Sequence, residues 1–270
     1  MNISTLDQLL DKLWSDYITL NPHALEIHNI FVERDEDVIN DHIAFRTFNH
    51  PSVCVDVLAK PFLASGYVES GNYDFPSKKL NAKHFEHPDK TKPKIFISEL
   101  RLEDFDAELN EIVNRMLSQV PENASDNFAF CVSGRPWTVT LDEYEKLLEK
   151  SEYAAWLSVF GFRANHFTVL ANELNSLDNM TDLNALVREN GFLLNESGGA
   201  IKGSKDQMLE QSSTLAGKVD VTFDCENTKK IPACYYEFAM RYPKKDGELF
   251  QGFIAKSADK IFESTNQRKS

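Results

Sequence analysis

The stretches DHIAFRTFN (41–49) and NHFTVLANE (165–173) decide the fold when one is set above the other. Each opens on a polar residue and a histidine, then runs through side chains that alternate in the period of two expected of a strand with one face on a core. The likeness continues downstream. SGYVESG (65–71) matches NGFLLNESGG (190–199), and KIFISEL (94–100) matches CYYEFAM (234–240). Self-similarity of this kind marks a duplicated supersecondary unit. Within each copy the order is strand, helix, strand, loop, strand. The expectation is an α+β fold of two βαβββ units whose sheets enclose a central cavity.

The remaining segments fit around this pair. Residues 1–40 read as N-terminal helices packed on the core, because Leu6, Leu9, Leu10, Leu13, Trp14 and Tyr17 recur at helical spacing and Asn21-Pro22 interrupts them. Residues 41–101 form the first half, with a helix from Pro51 to about Ala64 and a polar loop over FPSKKLNAKHFEHPDKTKP (75–93). Residues 102–160 are a helical connection, with one amphipathic helix over 102–120 and another over 140–157. Residues 161–270 make the second half and a C-terminal tail, with a helix near 180–189, a strand at FLL (192–194) and a Gly-rich turn after it.

Composition narrows the function. A net charge of −13 opposes a nucleic-acid partner, since binding to phosphate backbones rests on Lys and Arg. An acidic chain that handles an acidic metabolite needs local positive charge, which directs attention to Arg46 and Lys202. Cys54, Cys131, Cys225 and Cys234 form no CxxC pair and are expected to be reduced thiols. The N-terminus lacks a basic segment followed by an apolar core, and no run approaches the ~20 apolar residues of a membrane span. The expectation is a soluble, cytoplasmic protein with no membrane partner.

If corresponding strands face one cavity, His42 and His166 converge as equivalents, and Glu237 joins them from the last strand of the second half. A carboxylate between Tyr236 and Phe238 is costly to bury unless a cation neutralises it. Two His and one Glu leave coordination positions open, as non-haem Fe(II) oxygenases require. Glu99 is read as the first-half counterpart of Glu237 and a potential fourth ligand, although a strand carboxylate of this kind usually meets lysine or solvent. His84 and His87 have HxxH spacing but read as a solvated loop. Arg46 lies four residues after His42 and therefore on the same strand face, where a guanidinium can take a substrate carboxylate in bidentate fashion. Arg241 has the same offset from Glu237 and reads as a structural partner. Lys202, Ser204, Gln211, Ser212 and Ser213 form a polar cluster suited to a dicarboxylate. The glycines there lack the order of a phosphate-binding loop, and no Ser hydrolase elbow is present.

At DHIAFRTF (41–48), GGAIKGS (198–204), LEQSST (209–214), YYEFAMR (235–241) and SADKIFEST (257–265) the chain resembles the 2-oxoadipate dioxygenase/decarboxylase family, also called hydroxyglutarate synthases. The resemblance spans most of the chain. It implies a vicinal-oxygen-chelate-like fold, Fe(II) held at His42, His166 and Glu237, and a substrate-contacting arginine at Arg46. It also implies a tail contact at Lys256 and Ser257, where longer members carry an apolar residue at the position of Lys256. The implied reaction joins a 2-oxo dicarboxylic acid and O2, releases CO2 and leaves a 2-hydroxy acid; 2-oxoadipate would give 2-hydroxyglutarate. Lysine degradation is the pathway this suggests. Two other classes fit the same scaffold: a Zn- or Ni-dependent isomerase or hydrolase, in which the ion is only a Lewis acid, and a non-catalytic small-ligand binding module.

Overall fold

A computed structural model describes residues 3–223 and 227–265. The chain opens with helices α1 (Leu6–Leu20) and α2 (Pro22–Val32), then enters strand β1 (Asn40–Phe48), helix α3 (Val55–Leu63) and strands β2 (Val68–Phe75), β3 (Leu80–Glu86) and β4 (Lys94–Leu100). Helices α4 (Ala107–Leu117), α5 (Leu141–Lys150) and α6 (Glu152–Phe160) follow. The second half runs β5 (Ala164–Leu170), α7 (Met180–Glu189), β6 (Lys202–Ser204), β7 (Leu209–Ser213), the hairpin β8 (Lys218–Thr222) and β9 (Thr228–Pro232), then β10 (Tyr235–Arg241) and α8 (Ala255–Ile261).

Strand pairing makes the duplication explicit. The eight-stranded sheet has the order β2-β3-β4-β1-β5-β10-β7-β6, which reads identically outward from the antiparallel seam between β1 and β5. β1 pairs parallel with β4, and β5 pairs parallel with β10. Thus β4 corresponds to β10, β3 to β7 and β2 to β6, while β8 and β9 form a separate two-stranded insertion. The expected doubled βαβββ fold is present.

Local chemistry explains the flanking helices. Thr5 caps α1 by accepting from the Gln8 amide, and Leu9, Leu13 and Tyr17 then line its buried face. Trp14 and Tyr17 pack on Phe167 at 5.1 and 4.8 Å between ring centres, so α1 covers the face of β5 opposite His166. A reciprocal Thr140–Glu143 capping box starts α5. Ser151 caps α6, whose Trp156 reaches across to the Ala233 carbonyl at 2.5 Å. On the cavity side, α8 touches β2 of one half and β6 and β7 of the other, lying across both.

Several local expectations differ from the structure. Much of the polar loop 75–93 is strand β3, because pairing with β2 and β4 on both sides outweighs its lysines. His84 is consequently buried, bonded to the Tyr73 hydroxyl at 2.9 Å and to Glu86 at 3.2 Å, rather than solvated. His87 is half-buried, with Nε2 at 3.1 Å from the Ser65 carbonyl. The helix expected over 102–120 begins only at Ala107, where Asp106 caps it. The strand expected at FLL is reduced to one bridge between Leu194 and Thr214. The Gly-rich turn contains β6 and β7, and Gly203 is needed there: at φ 83° an added Cβ would lie 2.2 Å from the Leu209 carbonyl oxygen. Cys54, Cys131 and Cys234 are free thiols, whereas Cys225 lies outside the described residues. No helix among the described residues is long and apolar enough to cross a membrane.

Candidate metal centre

Register places three side chains at one point on the sheet. His42 of β1 pairs with Thr168 of β5, which pairs with Glu237 of β10, while His166 sits two residues earlier on β5. All lie on the same face. Their ligand atoms fall within 4.8 Å of one another, and all three residues are buried. His166 Nε2 is 3.3 Å from Glu237 Oε2, and His42 Nε2 is 3.7 Å from Oε1. The imidazole rings meet edge to face at 5.5 Å.

Neighbouring groups fix which atoms face inward. Asp41 accepts from His42 Nδ1 at 2.7 Å, and Asn165 accepts from His166 Nδ1 at 3.1 Å. With those protons outward, both Nε2 lone pairs point to the centre. Gln211 donates to Glu237 Oε1 at 2.6 Å, which leaves Oε2 buried with no hydrogen-bond partner among the described residues. Only the Thr168 hydroxyl approaches His42 Nε2, at 3.1 Å, and a hydroxyl rotates away readily. Two imidazole lone pairs and a carboxylate oxygen, aimed at one another in a buried site, are a donor set that a divalent cation fits.

The electrostatics are those of ligands kept away from water. Burial lowers the His42 pKa despite its Asp41 partner, and lowers that of His166 strongly, with the positive fields of His42 and Arg46 adding to the effect. Burial also pushes the Glu237 carboxyl up to about 8, although the Gln211 hydrogen bond opposes this. Asp41 behaves differently. Burial would raise its pKa, but the charges of Arg241 and Lys94 and the bonds from Arg241 and His42 hold it well below the usual range. Arg241 grips Asp41 through Nε and Nη2 at 2.5 and 2.8 Å and also donates to the Phe250 and Gly252 carbonyls. It is therefore the structural partner expected.

The surrounding wall is mixed. Phe96, Gln211, Phe253, Ile261 and Phe262 join the triad around a cavity of about 20 Å³, room for roughly one water. Phe253 packs edge-on against His42 at 4.8 Å. Arg46 is 2% exposed, with its guanidinium carbon 5.0 Å from each of the Tyr153 and Trp156 rings and 5.9 Å from that of Phe262. It donates to Thr265 at 3.0 Å, while Nε and Nη1 have no hydrogen-bond partner among the described residues. A larger cavity of about 380 Å³ reaches Arg46 between Lys78, Lys79, Lys150 and Phe262, so the Phe262 ring stands in both walls.

Other candidate residues are placed less centrally. Lys202 is buried and bound to the Asn195 and Ala200 carbonyls, with its pKa drawn down to about 8 by burial. Ser204 caps the turn after β6 through the Gln207 amide, and Ser212 bonds Asn184. Ser213 meets Ser264 at 2.8 Å, which ties β7 to the tail. Ser257 is buried beside Gly203, whereas Lys256 is exposed. Glu99 is not the counterpart of Glu237. Lys94 pairs with His42 as Tyr235 pairs with His166, which makes Phe96 the equivalent position and turns Glu99 to the other face, where it accepts from the Val55 amide at 2.9 Å. Asp41 and Asn165 were visible in sequence as the residues preceding each histidine; Tyr235, Phe96 and the tail aromatics carried no such signal.

Residues 4–248 match the family described as 2-oxoadipate dioxygenase/decarboxylase. A chloroplastic 2-oxoadipate dioxygenase/decarboxylase from Arabidopsis thaliana is 32% identical over 97% of this chain and 77% of its own length. The crystal structure of the Oryza sativa hydroxyglutarate synthase in complex with 2-oxoadipate superposes with a TM-score of 0.88 at 31% identity, covering 96% of this chain and 91% of that one. A Shewanella frigidimarina protein provisionally named a hydrolase gives 0.90 at 47% identity, covering 94% and 100%. At the level of fold alone, a Ralstonia eutropha protein described within the glyoxalase superfamily gives 0.75 at 18% identity, covering 91% and 84%.

Proposed function

The chain belongs to the 2-oxoadipate dioxygenase/decarboxylase family, and from that premise we propose that it converts 2-oxoadipate, or a closely similar 2-oxo dicarboxylic acid, with O2 to CO2 and the 2-hydroxy acid one carbon shorter. For 2-oxoadipate the product is 2-hydroxyglutarate. The supporting observation is the convergence of His42, His166 and the unpaired Glu237 oxygen inside a buried cavity, with Arg46 nearby.

His42, His166 and Glu237 would hold Fe(II), since two imidazoles and one carboxylate leave positions open for small ligands. Iron supplies the redox chemistry with O2 that no side chain can. The chain's own residues do the rest. Asp41 and Asn165 keep the ligand nitrogens unprotonated toward the centre, and Gln211 holds Glu237 by one oxygen so that the other is free. Arg46 binds a substrate carboxylate and orients the chain, with Nε and Nη1 unpaired among the described residues. Phe96, Phe253, Ile261 and Phe262 exclude water from the reacting carbon. Lys78, Lys79 and Lys150 ring the approach to Arg46, which favours a dianion on a chain of net charge −13. Lys202, Ser213 and Ser257 are buried where β6 and β7 meet the tail. Reduced thiols at Cys54, Cys131 and Cys234 suit a cytoplasmic location.

Anaerobic loading with Fe(II), followed by O2 uptake against a panel of 2-oxo acids, tests the proposal. One equivalent each of O2 consumed and CO2 released per 2-oxoadipate is expected, with no turnover and no retained iron in His166→Ala. Turnover without O2 on Zn²⁺-loaded protein would instead establish Lewis-acid chemistry, and chelator-insensitive binding without turnover a non-catalytic module.

A further inference from the structure

Tyr235 occupies the same row of the sheet as His166, one strand over and two residues before Glu237, so its side chain leaves β10 on the cavity face. Its ring stacks on the His166 imidazole at 4.6 Å with the planes 24° apart. Tyr235 is fully buried, and its hydroxyl has no hydrogen-bond partner among the described residues. Arg46 stands two residues past Ala44, the β1 partner of His166, and its Nε and Nη1 are likewise unpaired among the described residues, with Glu152 3.9 Å from Nη1.

A buried hydroxyl without a partner lowers stability, and phenylalanine would give the same stack at no such cost. The Tyr236 hydroxyl is also unpaired, so this property alone does not single out Tyr235. Their surroundings do. Tyr236 faces the helical side, against Trp14 and Tyr17, where every neighbour is part of the packed core. Tyr235 faces the ligands. Its hydroxyl and the Arg46 Nη1 amino group are donors with no acceptor among the described residues, and a carboxylate, with two oxygens and about four lone pairs, is their complement.

We infer that Tyr235 is a substrate-binding residue whose hydroxyl, together with the Arg46 guanidinium, holds the carboxylate of the 2-oxo diacid that lies away from the reacting carbon. This rests on the reaction proposed above. It makes Tyr235 a determinant of the preference for diacids over monoacids of equal length.

The test compares the anaerobic Fe(II)-loaded wild type with Tyr235→Phe by calorimetric titration with 2-oxoadipate and with 2-oxohexanoate, which has the same carbon count but no distal carboxylate. The variant should bind 2-oxoadipate about tenfold or more weakly and 2-oxohexanoate within about twofold of wild type. Its thermal midpoint should be no lower, because the hydroxyl it loses makes no bond within the protein. Unchanged 2-oxoadipate affinity, equal losses for both acids, or a lowered midpoint would each overturn the assignment. A wild type that fails to bind 2-oxoadipate removes the reaction and this role together, whereas normal wild-type binding with an unaffected variant removes only the role of Tyr235.

Discussion

Asp41 is the residue on which both ligand geometry and local stability depend. It is an ionised carboxylate in the interior, shared between the His42 imidazole and the Arg241 guanidinium. Asp41→Ala should weaken Fe(II) or Co(II) binding about 10–100-fold, because His42 loses the acceptor that fixes its tautomer. It should also cost about 3–5 kcal/mol in denaturant unfolding, since Arg241 is left buried without its counter-charge; wild-type values in both assays would exclude the coupling. Glu237 controls the pH response of chelator-treated protein. Between its ordinary value of 4.5 and about 8 the folded chain retains a proton that the unfolded chain has released. Stability therefore falls as pH rises through that window, by at most about 1.4 kcal/mol per unit. His42 and His166 act oppositely, because their lowered folded pKa values make stability rise with pH up to the ordinary 6.5. The interval from 6.5 toward 8, before Lys202 with its folded pKa of about 8 begins to act in the opposite sense, is therefore the one in which Glu237 dominates. The thermal midpoint should decline across it in the wild type and stay level in Glu237→Gln. Cation binding must expel that proton, so metal affinity should climb over the same interval.

The tail is the element that decides access. A cavity of about 20 Å³, with room for roughly one water, is too small for a six-carbon diacid. His42, Phe96, His166, Gln211 and Glu237 stand on hydrogen-bonded strands, whereas Phe253, Ile261 and Phe262 belong to the tail. The tail is fastened mainly by side chains, with one backbone bond from the Ala216 amide to the Ser264 carbonyl: Tyr73 accepts from the Phe253 amide, Glu263 meets Ser197 and Lys78, Ser264 meets Asn195 and Ser213, and Thr265 meets Arg46 and Glu152. Such contacts exchange faster than a sheet opens, so the tail is the wall that yields to substrate. The Ser213–Ser264 contact at 2.8 Å suits a cysteine pair. In the double variant Ser213→Cys/Ser264→Cys, oxidation should cut turnover by an order of magnitude or more and reductant should restore it. Equal turnover in both redox states would show that substrate reaches the centre with the tail in place. Elements were legible in sequence where local chemistry dominated: α1 through its apolar spacing and α5 through its Thr140–Glu143 ends. β3 was not, because Lys83 and His84 belong to a strand only by virtue of the neighbours on either side.

For the molecule as a whole, the candidate centre spans the seam of the duplication. β1 contributes His42 from one half, and β5 and β10 contribute His166 and Glu237 from the other, so a bound ion cross-links the two copies. Saturation at about a hundred times Kd should add about 2.7 kcal/mol, or roughly 5–10 °C in the unfolding midpoint. Chelator should reverse the shift and His166→Ala should show none; a shift that survives in this variant would place the binding elsewhere. The doubled unit, the two equivalent histidines and the shared face of His42 and Arg46 are legible in the order of residues, because alternation along a strand is a local property that a repeat displays twice. That Phe96 rather than Glu99 mirrors Glu237, that Arg241 reaches back to Asp41, and that the tail closes the cavity emerge from the folded chain alone. Strand register and the docking of a distant segment are set by pairing between residues far apart in the chain, and a slip of one position sends a side chain to the opposite face.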